Sequence, residues 1–340
     1  MSGAPEDPQG ARLRYADVRA AAERTTGRIR PVALTPADLG RLRADGSSAD
    51  GAPRLHLALE LLQHTGSFKA RGAVNFLRAH LADGTLRGAG VTIASGGNAG
   101  LACAWAAQQQ GVAATVFLPE TAPRVKVSRL RSHGATVRLV GSEYAEALEA
   151  CREFAAASGA LTSHAYDDPL IAAGAGTLME EIHAALPDLD TVVVAVGGGG
   201  LFSGVAAAAE HHGVRVVAVE PEHCRALNAA VEAGALVDVP VDSVASDSLG
   251  ARRASAMALA AAQRAGATSV LVPDDAIVSA RQRIWEEHRL VVEHGAATAL
   301  AALLVTGDGP AGGPRGYRPE QGERVCVVLC GANTDPSDLA

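Results

Sequence analysis

Lysine is the first residue type in this chain of 340 residues that points to chemistry, because only two are present, Lys69 and Lys126. Lys69 lies in the stretch TGSFKARGA, and arginine occupies the other basic positions. An arginine stays charged and cannot act as a nucleophile, whereas a lysine that loses its proton forms an imine with an aldehyde. Lys69 is therefore a candidate for covalent chemistry with a carbonyl compound.

Four consecutive glycines follow the most apolar β-rich run, in VGGGGLFSG at residues 196–204. Each ordered glycine costs about 1 kcal/mol relative to alanine, so the fold must gain something from bare backbone there, and a phosphate cradle is the obvious gain. The spacing does not match the G-x-G-x-x-G dinucleotide fingerprint, and no Gly-Lys-Ser/Thr follows. The remaining candidates for a ligand of this glycine run are a mononucleotide and another phosphorylated cofactor.

Two further loops lie where predicted strands end. SGGNAG, residues 95–100, offers backbone amides to an anion at the start of a helix near Asn98, or is a tight turn with an Asn cap. VVLCGANTD, residues 327–335, places Cys330 at a strand end, as a small buried side chain or as a ligand contact.

These features together indicate a cofactor. A reactive Lys69, an anion loop and a phosphate loop, without a metal-ligand cluster, fit pyridoxal 5'-phosphate.

The rest of the chain predicts an α/β fold. Apolar β-rich runs alternate with helical patterns, which indicates βαβ crossovers and parallel sheet. The β-rich runs are GVTIAS, AATVFLP, ATVRLV, TVVVAVG, VRVVAVE, TSVLV and ERVCVVLC. The helical patterns include YADVRAAAERTTGRI, NAGLACAWAAQQQ, SEYAEALEACREFAAA, GAGTLMEEIHAAL and DDAIVSARQRIWEEH. PADLGRLRADGSSADGAPR is expected to be mostly irregular, and GDGPAGGPRGYRPEQG to be a flexible surface connection.

Composition excludes several classes of function. A hydrophobic content of 48% supplies a substantial core, but no run of about 18 apolar residues would span a bilayer, and the N-terminus lacks a signal-like stretch. The formal charge is −7, without a basic block interleaved with aromatics. Five cysteines form neither a disulfide framework nor a zinc pattern. We expect a cytoplasmic protein with a small-molecule partner, and neither a nucleic-acid nor a membrane partner.

Seven motifs occur in the order and approximate spacing of the threonine/serine dehydratases: TGSFKARGA, SGGNAG, LPETAPRVKVSRLRSHGATVRLVG, VGGGGL, VAVEP, LVVEHGAATALAAL and CGANTD. From about residue 59 to residue 335 the chain resembles this family, which belongs to the tryptophan-synthase-β-like, fold-type II pyridoxal-phosphate enzymes. The resemblance implies two α/β domains with open, twisted, mostly parallel sheets and helices on both faces. It implies a small substrate-binding domain of residues 86–165, a large cofactor-binding domain of residues 1–85 plus 166–340, and a homodimer.

The resemblance also implies a role for individual residues. Lys69 would join the cofactor as a Schiff base and then act as the catalytic base at the substrate Cα. Phe68 would lie against the cofactor, Asn98 would bind its ring hydroxyl, and Cys330 would face the pyridine nitrogen, where many relatives have serine. The phosphate would be bound by the backbone of Gly197, Gly198, Gly199, Gly200 and Leu201. The pocket for the substrate carboxylate would be lined by Ser95, Gly96, Gly97 and Ala99.

Elimination of water from a β-hydroxy amino acid, giving a 2-oxo acid and ammonia, is the preferred reaction. Family racemases use a serine at the position of Gly96, which has no side chain. A thiol at Cys330 leaves the pyridine ring largely neutral, which favours elimination. The alternatives are a racemase, a cysteine-synthase-like β-replacement transferase, whose Thr-Ser-Gly-Asn loop SGGN does not match, and a non-catalytic sensor. Serine, threonine, hydroxyaspartate and an aryl-serine remain open as substrates.

Three positions depart from the family pattern. His294 stands where proline usually follows the glutamate Glu293, either as a solvated side chain or as a polar group at the pocket edge. Some relatives bind a divalent cation with the glutamate of VAVEP, here Glu220, and an aspartate at the position of Ala226, so no metal site is expected. SDS, residues 246–248, replaces the usual ADG and is expected to alter packing above the cofactor ring.

Overall fold

The structure, a computed structural model, describes residues 12–43, 53–265, 267–305 and 316–339. Its strands are β1 (Leu34–Ala37), β2 (Arg54–Ala58), β3 (Val91–Ala94), β4 (Ala114–Leu118), β5 (Thr136–Leu139), β6 (Leu161–Thr162), β7 (Thr191–Ala195), β8 (Arg215–Pro221), β9 (Thr268–Val272) and β10 (Arg324–Val328).

The helices alternate with these strands along most of the chain. They are α1 (Tyr15–Thr25), α2 (Leu39–Arg43), α3 (Lys69–Ala82), α4 (Asn98–Gln109), α5 (Arg124–Ser132), α6 (Tyr144–Ser158), α7 (Pro169–Ala185), α8 (Gly200–His212), α9 (Ala226–Ala233), α10 (Ser246–Leu249), α11 (Ala256–Ala265), α12 (Asp274–His288) and α13 (His294–Leu304). Two short 3-10 helices, Glu60–Leu62 and His64–Gly66, precede α3. Among the described residues, no helix combines the length and the apolar character needed to cross a bilayer.

The larger sheet has the strand order β1-β2-β10-β7-β8-β9. All neighbours in it are parallel except the edge pair β1 and β2. Every residue of β7 is buried, as is most of β10, so the central strands are covered on both faces. Helix α13 lies in the same hydrophobic core and is buried from Gly295 to Leu303.

The smaller sheet has the order β5-β4-β3-β6 and is parallel throughout. Helices α3 and α4 share a second core cluster with β3 and β4. Helix α6 packs against β3 and β4, where Phe117, Ala147 and Cys151 belong to a small third cluster. The α/β fold class and both parallel sheets are therefore confirmed, as are all seven predicted β-rich runs.

The prediction of an irregular stretch after residue 35 is wrong within the described residues. Strand β1 includes Pro36, and α2 follows it directly. Proline lacks a backbone N–H, but β1 is an edge strand that pairs with β2 alone, a position that tolerates proline. Residues 44–52 of this stretch lie outside the described residues. Of the predicted surface connection, residues 307–315 also lie outside them, while the backbone N–H of Tyr317 donates to the Ala302 carbonyl at 2.7 Å.

Both sheets point the carboxyl ends of their parallel strands at one cavity. The loops after β3, β5 and β6 reach it from the smaller sheet, and those after β7 and β10 reach it from the larger one. Loops at the carboxyl ends of strands are where open α/β sheets bind ligands.

Candidate active site

The cavity between the sheets has a volume of about 350 Å³. The predicted cofactor residues lie together on its wall: Phe68, Lys69, Asn98, residues 197–201 and Cys330. Of the predicted carboxylate loop, Ser95, Gly97 and Ala99 line it, and Gly96 does not.

Lys69 begins α3 and follows a turn tied to the end of β10. Ser67 forms a β-bridge with Gly331, and the Phe68 backbone N–H donates to the Cys330 carbonyl at 3.0 Å. These contacts direct the Lys69 side chain into the cavity, where Nζ donates to the Ala165 carbonyl at 2.7 Å. Nζ also lies 4.8 Å from the centre of the Phe68 ring.

The amine of Lys69 is easier to deprotonate than an ordinary lysine. Burial lowers its pKa to about 8, although the nearby Cys330 and Glu293 oppose the shift. Burial disfavours the charged ammonium because it removes water from around it. Near neutral pH a much larger fraction of this amine is a neutral nucleophile than of an exposed lysine.

The glycine run forms a cradle at the N-terminus of α8. Gly199 precedes the helix with φ of +96°, a conformation that favours glycine. A Cβ atom added at Gly198 would collide with the Tyr166 ring, and one at Gly199 with Ala258. The backbone N–H groups of residues 197–201 have no acceptor among the described residues. Free amides and the positive end of the helix dipole suit a phosphate group.

Asn98 is held at both ends of its amide. Its Nδ2 donates to both carboxyl oxygens of Glu293 at 3.0 Å, and its Oδ1 accepts from Asn333 Nδ2 at 2.7 Å. Burial raises the pKa of Glu293, and the hydrogen bond from Asn98 opposes this rise. The amide is fixed before any ligand binds.

Cys330 follows β10 and is buried at the floor of the cavity. Burial raises the pKa of its thiol well above the usual range, and the negative charge of Glu293 adds to the rise. The thiol is therefore neutral, so it offers a weak S–H donor and no negative charge.

Gly96 faces away from the cavity, toward the smaller sheet. A Cβ atom added there would lie 2.8 Å from Cδ2 of Leu118, which is buried at the end of β4. A side chain at this position therefore needs Leu118 to move.

The three departures from the family pattern have structural explanations. His294 is half-buried in the first turn of α13 and is not part of the cavity lining, and burial lowers its pKa. The carboxyl of Glu220 accepts the backbone N–H groups of Leu227 and Asn228 at 2.7 Å, so it caps α9. Burial raises the pKa of Glu220 to about 8.

Ser248 packs into space left by a glycine. A Cβ atom added at Gly295 would collide with Ser248 Oγ. The hydroxyl thus occupies the place that a side chain at Gly295 would take. The expected change of packing above the cofactor ring stays a prediction. Ser246, Asp247 and Ser248 all line the cavity.

Sequence reasoning did not single out three residues in or beside the cavity: Tyr144, Tyr166 and Asn333. Tyr144 begins α6 after β5, and Tyr166 follows β6. The rule that ligands meet the carboxyl ends of parallel strands could have pointed to Tyr144. Asn333 lies inside the motif CGANTD, but its contact with Asn98 depends on how the two sheets meet.

The residues present fit pyridoxal phosphate. The glycine cradle matches an anionic group in size and charge, and it lies in the same cavity as a buried amine of lowered pKa. The Asn98 amide, whose Nδ2 donates to Glu293, and the neutral thiol of Cys330 both line this cavity. An aldehyde, a phosphate and a ring with polar substituents thus each have a partner.

Comparison with known proteins agrees with this reading. Residues 33–331 match the family model described as pyridoxal-phosphate dependent enzyme. An L-threonine ammonia-lyase of Geobacter sulfurreducens is 34% identical over 84% of this chain and 69% of its own. A human protein named serine dehydratase-like is 36% identical over 84% of this chain and 87% of its own.

Solved structures show the same fold. A pyridoxal 5'-phosphate-dependent aspartate racemase superposes with a TM-score of 0.84 at 28% identity, covering 96% of this chain and 98% of the other. The family model matches most of the chain, and the two relatives share 34% and 36% of the aligned residues with it. Both findings agree with the geometry of the cavity. The chain therefore belongs to the family of pyridoxal-phosphate-dependent enzymes.

Proposed function

We propose that the protein eliminates water from a small β-hydroxy amino acid, of the serine and threonine kind, and releases an unsaturated amine that water then hydrolyses to a 2-oxo acid and ammonia. The observation that carries the proposal is the Lys69 amine, with its pKa lowered to about 8, in one cavity with the glycine cradle. The names of the two relatives, a threonine ammonia-lyase and a serine dehydratase-like protein, support the same reaction class.

Bound pyridoxal phosphate supplies an aldehyde for the amine and a conjugated ring that accepts the electron pair of the Cα–H bond. Lys69 takes up that proton, and its lowered pKa makes it a base that works near neutral pH. The amides of residues 197–201 would hold the phosphate, and the Asn98 amide would donate to the ring oxygen. The neutral Cys330 thiol places no negative charge in the cavity and so does not favour protonation of the ring nitrogen.

The substrate carboxylate is proposed to bind where α4 begins. Ser95, Gly97 and Ala99 line this part of the cavity, and the first N–H groups of a helix attract anions. Gly96 is proposed to contribute its backbone alone, because its Cα faces Leu118.

The charges around the cavity favour an uncharged substrate side chain. Lys69 is the one cationic side chain among the described lining residues, which also include the carboxyl groups of Asp247 and Glu293. An acidic side chain, as in hydroxyaspartate, would find no free cation there, whereas serine and threonine need none.

Racemisation is the second candidate because the superposed aspartate racemase has the same fold. A racemase needs an acid or base on the face of the substrate opposite the lysine. Gly96, where family racemases have serine, offers no side chain, and Leu118 fills the adjacent space. Racemisation is therefore expected to be a minor activity at most.

We further propose that residues 86–165 form a small substrate-binding domain and that residues 1–85 with 166–340 form the large one. The division is supported by β3–β6 forming one sheet and the remaining strands the other. Assembly as a homodimer and a cytoplasmic location are proposed from the family resemblance.

The proposed function is tested by assaying 2-oxo acid and ammonia release from serine, threonine, phenylserine and 3-hydroxyaspartate. Lys69→Ala is expected to lower turnover at least about 10³-fold and to remove the visible absorption of the holoenzyme, because the covalent anchor and the base are lost together. Lys126→Ala, which removes the other lysine, is the matched control and should change turnover no more than a few-fold. Full turnover by Lys69→Ala, or no oxo acid from any of the four amino acids, contradicts the proposal.

A further inference from the structure

We propose that Asn333 is a positioning residue that fixes the amide of Asn98 in the orientation that presents an N–H to the bound cofactor. The inference rests on the proposed function for the place of the cofactor ring beside Asn98. It concerns a residue outside the cavity lining that acts through Asn98.

An asparagine amide can flip, because its oxygen and nitrogen ends have nearly the same shape but opposite hydrogen-bonding roles. In the observed orientation Asn98 Oδ1 accepts from Asn333 and Nδ2 donates to Glu293. In the flipped orientation the Nδ2 groups of the two asparagines would face each other, donor against donor. Asn98 Oδ1 would then face the carboxyl oxygens of Glu293.

Glu293 by itself fixes the orientation of Asn98 only while its carboxyl is ionised, because a carboxylate accepts hydrogen bonds and does not donate them. Burial raises the pKa of this carboxyl, and a protonated carboxyl both donates and accepts. It could therefore hydrogen-bond to either end of the Asn98 amide. A second contact of fixed polarity is needed to exclude the flip.

That fixed polarity comes from a backbone carbonyl. Asn333 Nδ2 also donates to the Thr65 carbonyl at 2.7 Å. A carbonyl oxygen only accepts, so Asn333 must turn its nitrogen toward Thr65, and the same nitrogen then meets Asn98. The Thr65 carbonyl therefore determines the orientation of the Asn333 amide, and Asn333 in turn determines the orientation of the Asn98 amide. Neither step depends on the charge of Glu293.

The backbone around Thr65 is built to hold this carbonyl in place. Thr65 has φ of 62°, a left-handed conformation that is uncommon for a residue other than glycine. The next residue, Gly66, accepts the backbone N–H of Ala332 at 2.9 Å. A Cβ atom added at Gly66 would lie 3.1 Å from Asn333 Oδ1, so the missing side chain lets Asn333 pack close to this turn.

The consequence falls on the second N–H of Asn98 Nδ2. Both carboxyl oxygens of Glu293 lie 3.0 Å from this nitrogen, so one hydrogen can bridge them and leave the other for a ligand in the cavity that Asn98 lines. A donor there stabilises a deprotonated ring oxygen, whereas a carbonyl oxygen in its place would stabilise the protonated hydroxyl. These two forms of the bound cofactor absorb in the visible and the near-ultraviolet, so the orientation of Asn98 has a spectroscopic readout without substrate.

The test compares the absorption spectra of holoenzyme variants over a range of pH. Asn333→Ala is expected to lower the ratio of the visible to the near-ultraviolet band at least twofold, and Asn333→Asp to lower it further, because a carboxylate repels Asn98 Oδ1. Asn228→Ala is the matched control, since the Asn228 amide bonds to Ser269 and Arg225, far from the site. That control should leave the ratio unchanged.

A double variant separates positioning from a general structural role. In an Asn98→Ala background, Asn333→Ala should cause no further change in the band ratio, because the residue through which it acts is gone. A loss of thermal stability alone, with an unchanged ratio, or equal effects in both backgrounds, overturns the proposal. If Asn333→Ala does not accumulate as folded protein, Asn333→Asp and Asn333→Ser are compared in the same two backgrounds.

The outcome is distinct from a failure of the proposed function. A wild-type protein that binds no pyridoxal phosphate refutes the proposed function and this inference together. A wild-type protein with a visible band that Asn333→Ala does not change refutes the role of Asn333 alone.

Discussion

The reactivity of the site begins with one amine whose surroundings make its charge unfavourable. Lys69 Nζ has a hydrogen-bond partner in the Ala165 carbonyl, and no carboxylate in the described part of the chain forms a salt bridge with it. Burial is the largest influence on its pKa, which falls to about 8. In the cofactor-free protein this residue is therefore expected to react with an aldehyde at a lower pH than an exposed lysine would.

Schiff-base formation by the cofactor-free protein should follow this pKa. Only the neutral amine is nucleophilic, so the rate of reaction with pyridoxal phosphate is expected to rise with pH below about 8 and to level off above it. The rate is measured from the appearance of visible absorbance after mixing. The Lys69→Ala variant reports the background from Lys126 and the N-terminus. A rate that still rises steeply between pH 9 and pH 10.5 in the wild type, after subtraction, contradicts the burial of this amine.

The position of the candidate reactive lysine in the cavity could be predicted from sequence, whereas its supporting contacts could not. Lys69 is marked by the rarity of lysine, and residues 197–200 by four glycines in a row. Neither rarity nor repetition distinguishes Asn333 and Thr65 in the sequence. Their proposed role depends on the hydrogen bonds of Asn333 to Thr65 and to Asn98, which join segments more than 200 residues apart. Composition and spacing along one segment do not encode such a contact.

At the level of elements, the position of Lys69 depends on how the first turn of α3 is anchored. Arg71 is fully buried and donates from Nε and Nη2 to both oxygens of Glu60, in the 3-10 helix before α3. It also donates to both oxygens of Glu181 on α7. A guanidinium that meets two carboxylates in a paired geometry holds three elements in register.

Arg71→Met is expected to destabilise the protein by about 3–5 kcal/mol, because it leaves the buried Glu60 carboxylate without its partner. The free energy of unfolding is measured by urea titration. Arg78→Met is the matched control, since Arg78 lies on the same helix and has no ion pair among the described residues. Equal losses in the two variants would show that the Arg71 cluster is not the anchor. Adding Glu60→Gln should recover part of the loss.

The elements themselves were predictable where a strand is long and central. Strand β7, with the sequence TVVVA, is buried at every position, and such runs are apolar throughout. Strand β6 has two residues and β1 contains Pro36, so neither shows a strand pattern by itself. Both lie at a sheet edge, where pairing with one neighbour determines the structure more than local sequence does.

At the level of the whole molecule, the site depends on two sheets whose strands point their carboxyl ends at one cavity. Asn98 comes from the smaller sheet, and Lys69, the glycine cradle and Cys330 adjoin the larger one. An ion pair also joins helices of the two sheets beside the cavity: Lys126 Nζ on α5 lies 3.9 Å from Asp247 Oδ1 on α10. Helix α5 belongs to the smaller sheet, while α10 packs against α13 of the larger one.

This ion pair is exposed, with 40% of the Lys126 and 93% of the Asp247 side chain accessible, so its effect must be small. Lys126→Gln is expected to raise the KM for the amino acid by at most about fivefold, with kcat unchanged, because the pair favours approach of the two sheets without touching the reacting atoms. Salt screens exposed charges, so the difference from the wild type should disappear at about 1 M ionic strength. The matched control is Arg152→Gln, which breaks the exposed pair with Glu149 inside α6 and crosses no cavity. An exposed contact between the sheets predicts that the KM effect disappears in high salt and that Arg152→Gln has no such effect. A KM effect that persists in high salt, or that Arg152→Gln reproduces, would show that Lys126 acts in another way.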